Sequence, residues 1–358
     1  MNTTVNRTLL EERRQLPLPA QFESLRGSRM LVTGAAGFIG GALFKRLAEY
    51  GLDVVGTVLY PAEAEELQNH GYRAEVLDLA SDVEWDSLLT GIDVVFNIAA
   101  MFMETEHGES MYHKVNVDGT LKLVKTAARC GVKRFVHCST VGVHGDVKQV
   151  PCKETSPFNP MDEYHRTKLH GELAVLDFAR TLPPDGMLVT VNRPAMVYGP
   201  GDVRMLKLFK AVASGRFRMI GSGKVLAHLG HIDDQVDSLL LGGVQPREDI
   251  HLESFNIASG RYITLNELVG SIAAAAGVKV SRLKIPVAPV WLAGLLCEMV
   301  CRPFGIRPPI FRRRVGFFTH NRAFDLSKAR DKLGYVSKVD HDEGTRMTLA
   351  WYQRQGMV

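Results

Sequence analysis

The stretch Met30 to Gly41, MLVTGAAGFIGG, constrains this chain more than any other. Met30, Leu31 and Val32 read as a short buried strand, Thr33 ends it, and Gly34, Gly37 and Gly40 follow at three-residue spacing. Ala42 to Ala48 then has the apolar spacing of a helix packed on a sheet. Gly34 permits the tight reversal, Gly37 lets backbone approach a pyrophosphate, and Gly40 lets helix and strand pack closely. The first N–H groups of a helix have no partner within it, so they and the positive end of the helix dipole face an anion. Glycine triplets also occur in plain turns. The strand before this one and the helix after it are the context that a dinucleotide site requires.

Downstream, strand and helix signals alternate. Asp53–Leu59, Arg73–Leu77, Asp93–Ala99, Arg134–Cys138 and Leu188–Arg193 read as strands. Between them Pro61–Asn69, Ser81–Leu89 and Val115–Cys130 read as helices, the last stopped by Gly131. Alternation of this kind implies right-handed crossovers and a doubly wound parallel α/β sheet. Beyond Pro194, glycines and prolines break the chain into shorter elements, among them Thr264–Ala276, with Thr264 as N-cap and Glu267 completing a capping box. We expect an N-terminal extension over 1–28, a dinucleotide-binding domain over 29–194, and a smaller mixed α/β substrate lobe mainly over 195–358. Some segments of the lobe return to the sheet. The 358 residues suffice for such a pair of unequal units.

Composition narrows the function by exclusion. A formal net charge of +4, with scattered basic residues, gives no footprint for nucleic acid. Five cysteines (Cys130, Cys138, Cys152, Cys297, Cys301) form no CxxC pair, which favours reduced thiols, a cytoplasmic setting and no metal. Residues 1–28 carry no apolar run after their charges, so no secretory signal is expected. The histidines His137, His144, His165, His170, His228 and His231 lack ligand spacing; most read as structural, with His144 and His228 as candidates for the substrate pocket.

Tyr164 and Lys168 stand four residues apart in EYHRTK, on one face of a helix. A lysine cation beside a phenol favours the phenolate and makes the tyrosine an acid or base usable near neutral pH. Surface Tyr/Lys pairs share this spacing, but here it follows a glycine turn and a strand ending in Ser139-Thr140.

Taken together, TGAAGFIG, Asp78-Leu79, FNIAA, VNVDGT, CSTVGVHG, YHRTK, NRPAMVYGPGD, HIDD, FNIASG and FDLSKARDKLGY resemble the extended short-chain dehydrogenase/reductases. That superfamily contains NAD-dependent nucleotide-sugar epimerases and dehydratases and 3β-hydroxysteroid dehydrogenases. The resemblance runs from about residue 29 to the end and implies a Rossmann-type fold. It implies catalytic roles for Tyr164, Lys168 and Thr140, with Ser139 as second choice for the hydroxyl that holds the substrate oxygen. It assigns the cofactor to Gly34, Gly37, Phe38, Ile39, Gly40, Val58, Asp78, Leu79, Ala99, Ala100, Pro194 and Val197, with Tyr164 and Lys168. Asn116 reads as a buried supporting amide.

Two departures bear on specificity. Val58 stands where the family often has an acidic residue for the adenosine ribose, and no arginine adjoins it, leaving NAD and NADP open with a lean to NAD. Ala227 falls where nucleotide-sugar enzymes carry an arginine for the diphosphate, which argues against that substrate class. The apolar run Ile285–Ile306, followed by Arg312-Arg313-Arg314, reads as a lid packed on the lobe, or as a surface over 285–318 that touches a bilayer. It resembles the hydroxysteroid branch, and Cys297 and Cys301 within it read as core. The expected activity is hydride exchange between nicotinamide and a bulky apolar alcohol or ketone, sterol- or isoprenoid-like. The alternatives are a nucleotide-sugar epimerase or dehydratase, and a non-catalytic cofactor-binding protein. The resemblance also implies a homodimer.

Overall fold

A computed structural model describes residues 5–102, 109–281, 283–301 and 315–358. Its frame is a sheet of seven parallel strands. Six of them are β1 (Arg29–Thr33), β2 (Asp53–Val58), β3 (Ala74–Val76), β4 (Val94–Asn97), β5 (Arg134–Cys138) and β6 (Leu188–Pro194). The spatial order is Ser254–Ile257, β6, β5, β4, β1, β2, β3, so the winding reverses between β1 and β4. Doubly wound sheets bind ligands at that reversal, outside the carboxyl ends of the strands.

The strands are apolar almost throughout because both faces are covered. On one face helices Phe38–Glu49 and Ile232–Val244 pack through Leu43, Phe44, Leu47, Val236, Leu239 and Leu240. On the other, helices Thr120–Arg129 and Glu163–Ala179 contribute Leu123, Val124, Ala127 and Val175. A separate core, with Phe209, Leu268, Ile272, Leu349 and Tyr352, joins helices Leu206–Ala213, Leu265–Ala275 and His341–Arg354.

The expected capping box of Leu265–Ala275 is present, Thr264 Oγ1 accepting from Glu267 N at 3.1 Å. Two helix expectations change. Of Ser81–Leu89 only Asp86–Leu89 is helical, because Asp78 binds its own downstream backbone, accepting from Ala80 N at 2.8 Å. The helix expected from Val115 already begins at Glu109, and Lys114–Gly119 within it winds as a π-helical turn.

Candidate active site

The carboxyl ends of β1, β4 and β5 are cross-linked beneath the cavity they open into. Thr33 Oγ1 donates to Asn97 Oδ1 at 2.9 Å and accepts from the N–H groups of Ile98 and Ala99, both at 2.9 Å. Asn97 Nδ2 meets His137 Nδ1 at 3.1 Å. His137 is fully buried, and burial together with the Lys168 charge pushes its pKa well below the ordinary histidine value, so it stays neutral.

Above this floor lies a cavity of about 2080 Å³. It is lined by every residue assigned above to catalysis or to the cofactor: Gly34, Gly37, Phe38, Ile39, Gly40, Val58, Asp78, Leu79, Ala99, Ala100, Ser139, Thr140, Tyr164, Lys168, Pro194 and Val197. The glycine turn fits a dinucleotide in shape and polarity. A Cβ on Gly40 would lie 2.3 Å from the Gly34 carbonyl oxygen, so only glycine lets helix and turn approach this closely. The helix begins at Gly37 with no side-chain cap, leaving its first N–H groups to the cavity.

Tyr164 and Lys168 sit in the first turns of helix Glu163–Ala179, capped by Asp162, which accepts from His165 N at 2.9 Å. Lys168 is 2% exposed and donates from Nζ to the Cys138 carbonyl at 2.7 Å. The expected lysine-acidified phenol is not what the structure holds. Burial of the hydroxyl pushes the Tyr164 pKa well above the ordinary tyrosine value; Cys138 and Asp162 add to this, and Arg204 is the cation that opposes it. Burial likewise lowers the Lys168 pKa, opposed by Cys138 and Glu172. Desolvation outweighs pairing here, with Lys168 buried and Tyr164 half-buried beside the cavity. Such a concentration of perturbed groups in one cavity is characteristic of a reactive site.

Of the two hydroxyls, Thr140 Oγ1 accepts from Gly142 N at 3.0 Å and caps the short turn Val141–His144. Ser139 Oγ is buried with no hydrogen-bond partner among the described residues. Asn116 lies outside the cavity. Its amide holds Met101 through N at 2.8 Å and O at 3.0 Å, and donates to Thr167 Oγ1 at 3.0 Å, tying the loop after β4 to the tyrosine helix.

His144 and His228, candidates for the pocket, do not line it. His144 contacts Arg193 Nη1 at 3.2 Å and the Pro157 carbonyl at 3.3 Å; His228 contacts the Ser259 carbonyl at 2.7 Å and accepts from Phe324 N at 3.2 Å. Each is turned inward to pair with backbone or a buried cation. Ala227 is buried in a two-residue strand paired with Ile263–Thr264, also outside the cavity. Conversely, sequence reasoning missed Arg7, Glu63, Arg204, His320 and Arg322, all of which line it. Glu63 had a local signal, as N3 of a proline-started helix whose capping box it completes with Tyr60. The others reach the cavity only through the fold.

The apolar run forms helix Val287–Cys301. Val287 and Trp291 line the cavity, while Leu296, Met299 and Val300 are 54%, 63% and 64% exposed, more than a packed lid allows. Cys297 and Cys301 are half-buried with sulfurs 4.0 Å apart, not core as expected, because among the described residues this helix is covered on one side only. Arg312, Arg313 and Arg314 lie outside the described residues. Among the described residues no helix is long and apolar enough to cross a membrane, and no His/Cys/Asp/Glu cluster could hold a metal ion.

A family model described as the NAD dependent epimerase/dehydratase family matches residues 30–258. The chain belongs to that family. It is an enzyme of the extended short-chain dehydrogenase/reductase type. The family's breadth shows in its relatives. The N-acetyl-alpha-D-glucosaminyl-diphospho-ditrans,octacis-undecaprenol 4-epimerase of Escherichia coli O157:H7 is 25% identical over 329 residues, covering 90% of this chain and 94% of that protein. The 3-beta-hydroxysteroid dehydrogenase of Mycolicibacterium neoaurum is 27% identical over 344 residues, covering 90% and 91%. The crystal structure of a UDP-glucose 4-epimerase with UDP-glucose from Thermotoga maritima superposes with a TM-score of 0.71 at 26% identity, over 91% of this chain and 99% of that one.

Proposed function

We propose that the protein is an NAD-dependent oxidoreductase that interconverts a bulky, largely apolar secondary alcohol and its ketone. The observation that carries this reading is the substrate end of the cavity, walled by Val287, Trp291, Val315, Phe317 and Phe324, while Ala227 lies buried elsewhere. An apolar wall gives sterol- or isoprenoid-like carbon a surface, and offers few partners to a sugar's hydroxyls. Glu63 in the wall beyond β2 supports NAD over NADP, since a carboxylate there disfavours an added phosphate.

The glycine turn, Val58, Asp78, Leu79, Ala99, Ala100, Pro194 and Val197 would hold the cofactor, which supplies the hydride acceptor or donor. Tyr164 takes the hydroxyl proton during oxidation and returns it during reduction. Thr140 or Ser139 donates to the substrate oxygen, either hydroxyl being chemically sufficient. Lys168 positions the tyrosine and the nicotinamide ribose from its anchor on the Cys138 carbonyl. The exposed face of helix Val287–Cys301 supports peripheral contact with a bilayer, from which an apolar substrate would enter. A homodimer remains part of this reading by family analogy alone.

The second reading, a nucleotide-sugar epimerase, is favoured by one specific observation. Arg322 and His320 line the same end, and Asp146 opposes the lowering of the Arg322 pKa that burial causes. A cation there would serve a diphosphate. Purified protein with NAD and a panel of sterols, prenyl alcohols and nucleotide sugars separates the two. Net NAD reduction by an apolar alcohol, lost about 10²- to 10⁴-fold in Tyr164→Phe with NADH binding intact, supports the first. Sugar interconversion without net reduction overturns it.

A further inference from the structure

The residues before the family match are not idle. Val5, Asn6 and Arg7 line the cavity, and the segment containing them is pinned on both sides of it. Asn6 N donates to the Ala36 carbonyl at 2.8 Å, in the glycine turn, and Asn6 Nδ2 donates to the Gly201 carbonyl at 3.4 Å. Ala36 and Gly201 both line the cavity, so Asn6 spans two of its walls. The Asn6 side chain also accepts from Thr8 N at 3.1 Å and caps the 3₁₀ turn Arg7–Leu10.

Behind Asn6 the segment is fastened firmly. Leu9 is fully buried against helix Phe38–Glu49, where a Cβ on Gly41 would come within 2.9 Å of Leu9 Cδ1. Lys45 Nζ donates to the Thr8 carbonyl at 2.6 Å. Glu11 Oε1 accepts from Trp351 Nε1 at 3.1 Å, and Trp351, on helix His341–Arg354, lines the cavity as well. Arg7 differs from its neighbours. It is exposed, lines the cavity and has no ion pair among the described residues. Its guanidinium and the uncapped N-terminus of helix Phe38–Glu49 thus present positive charge to one space.

We propose that Val5–Glu11 is a strap that retains the bound dinucleotide, with Asn6 as its latch and Arg7 as a contact to the cofactor's diphosphate. The proposal rests on the dinucleotide reading of the cavity. A diphosphate offers the paired oxygens that a guanidinium binds in charge-assisted fashion. A strap fastened at Leu9 and Glu11 must release Asn6 before the cofactor leaves, so it governs dissociation.

The test is the rate at which full-length protein releases NADH, followed by fluorescence after mixing with excess NAD. The double variant Asn6→Ala/Arg7→Gln should release NADH about ten-fold faster than the parent. The part due to Arg7→Gln alone should vanish in 1 M salt, where screening is nearly complete. Melting of the cofactor-free protein should be unchanged by Arg7→Gln, which removes no described contact. Leu9→Ala, which loosens the anchor without touching the cavity, should also speed release. Parent and double variant binding NADH and releasing it equally fast would overturn the strap alone. A parent that binds no NADH would overturn the dinucleotide reading, and the strap with it.

Discussion

Glu172 and Arg193 form the buried ion pair that fastens the tyrosine helix to the sheet, and removing one partner has a calculable effect. Glu172 lies two turns beyond Tyr164 on the same helix, and Arg193 directly precedes Pro194 of the cavity wall. Arg193 donates from Nε to Oε1 and Oε2 at 3.0 and 3.1 Å, and from Nη2 to Oε1 at 2.5 Å. Ser254 Oγ, on the neighbouring strand, donates to Oε1 at 2.8 Å, and the two charged side chains are 4% and 0% exposed. In Glu172→Ala the guanidinium stays buried without its anion. Breaking a buried pair in this way costs about 3–5 kcal/mol. An unfolding entropy of about 2.1 cal/mol/K per residue makes one kcal/mol worth about 1.3 °C for this chain, so melting should fall by about 4–7 °C. Adding Arg193→Met removes the stranded charge and should return most of the loss, because apolar replacement of both partners is often nearly neutral. Thermal unfolding of the parent, both single variants and the double variant closes the cycle. A loss below about 1 kcal/mol in Glu172→Ala, or a double variant weaker than the sum of the singles, refutes the reasoning.

Two further outcomes follow from the same geometry. Gly40→Ala places a methyl 2.3 Å from the Gly34 carbonyl oxygen and 2.8 Å from its carbon, both backbone atoms that cannot swing away. We expect a loss of about 1–3 kcal/mol and NADH affinity at least about ten-fold weaker; titration calorimetry showing parental affinity would contradict the packing argument. For pH, burial raises the Tyr164 pKa, so the phenolate that oxidation needs becomes populated only as pH climbs into the alkaline range. The rate of alcohol oxidation should therefore rise with pH well above neutrality, while ketone reduction, which needs the protonated phenol, holds there. An oxidation profile already flat at pH 7 would count against it.

The central strands were legible because a sheet covered on both faces reads as nearly unbroken apolar runs, and because glycine and proline mark their ends. Helix Pro61–Asn69 matches its sequence reading residue for residue, with Pro61 and Glu63 marking its start. Failures occurred where the decisive partner is distant in sequence or where a polar side chain has a local alternative. Asp78 winds its own backbone into a turn and removes half of the helix expected over Ser81–Leu89. His144 and His228 look like pocket residues by position, yet the partners that turn them inward, Arg193 and Ser259, are supplied by other elements. The acidity expected of Tyr164 came from a correct spacing with Lys168 but ignored burial, which one-dimensional spacing does not report. Arg322 is the sharpest case. No neighbour in the sequence connects it with the glycine turn, yet both face one cavity.

The seventh strand, Ser254–Ile257, comes from the half of the chain that also supplies the apolar wall of the cavity. Severing the polypeptide after residue 194 would expose the edge of β6, a row of unpaired backbone groups prone to pairing with other chains. It would also strip helix Ile232–Val244 from the sheet face it covers. New specificities in this scaffold therefore cannot be grafted as a detachable cassette. They must arise as changes within the excursions on either side of 232–257, while the intervening strand and helix stay fixed as part of the chassis.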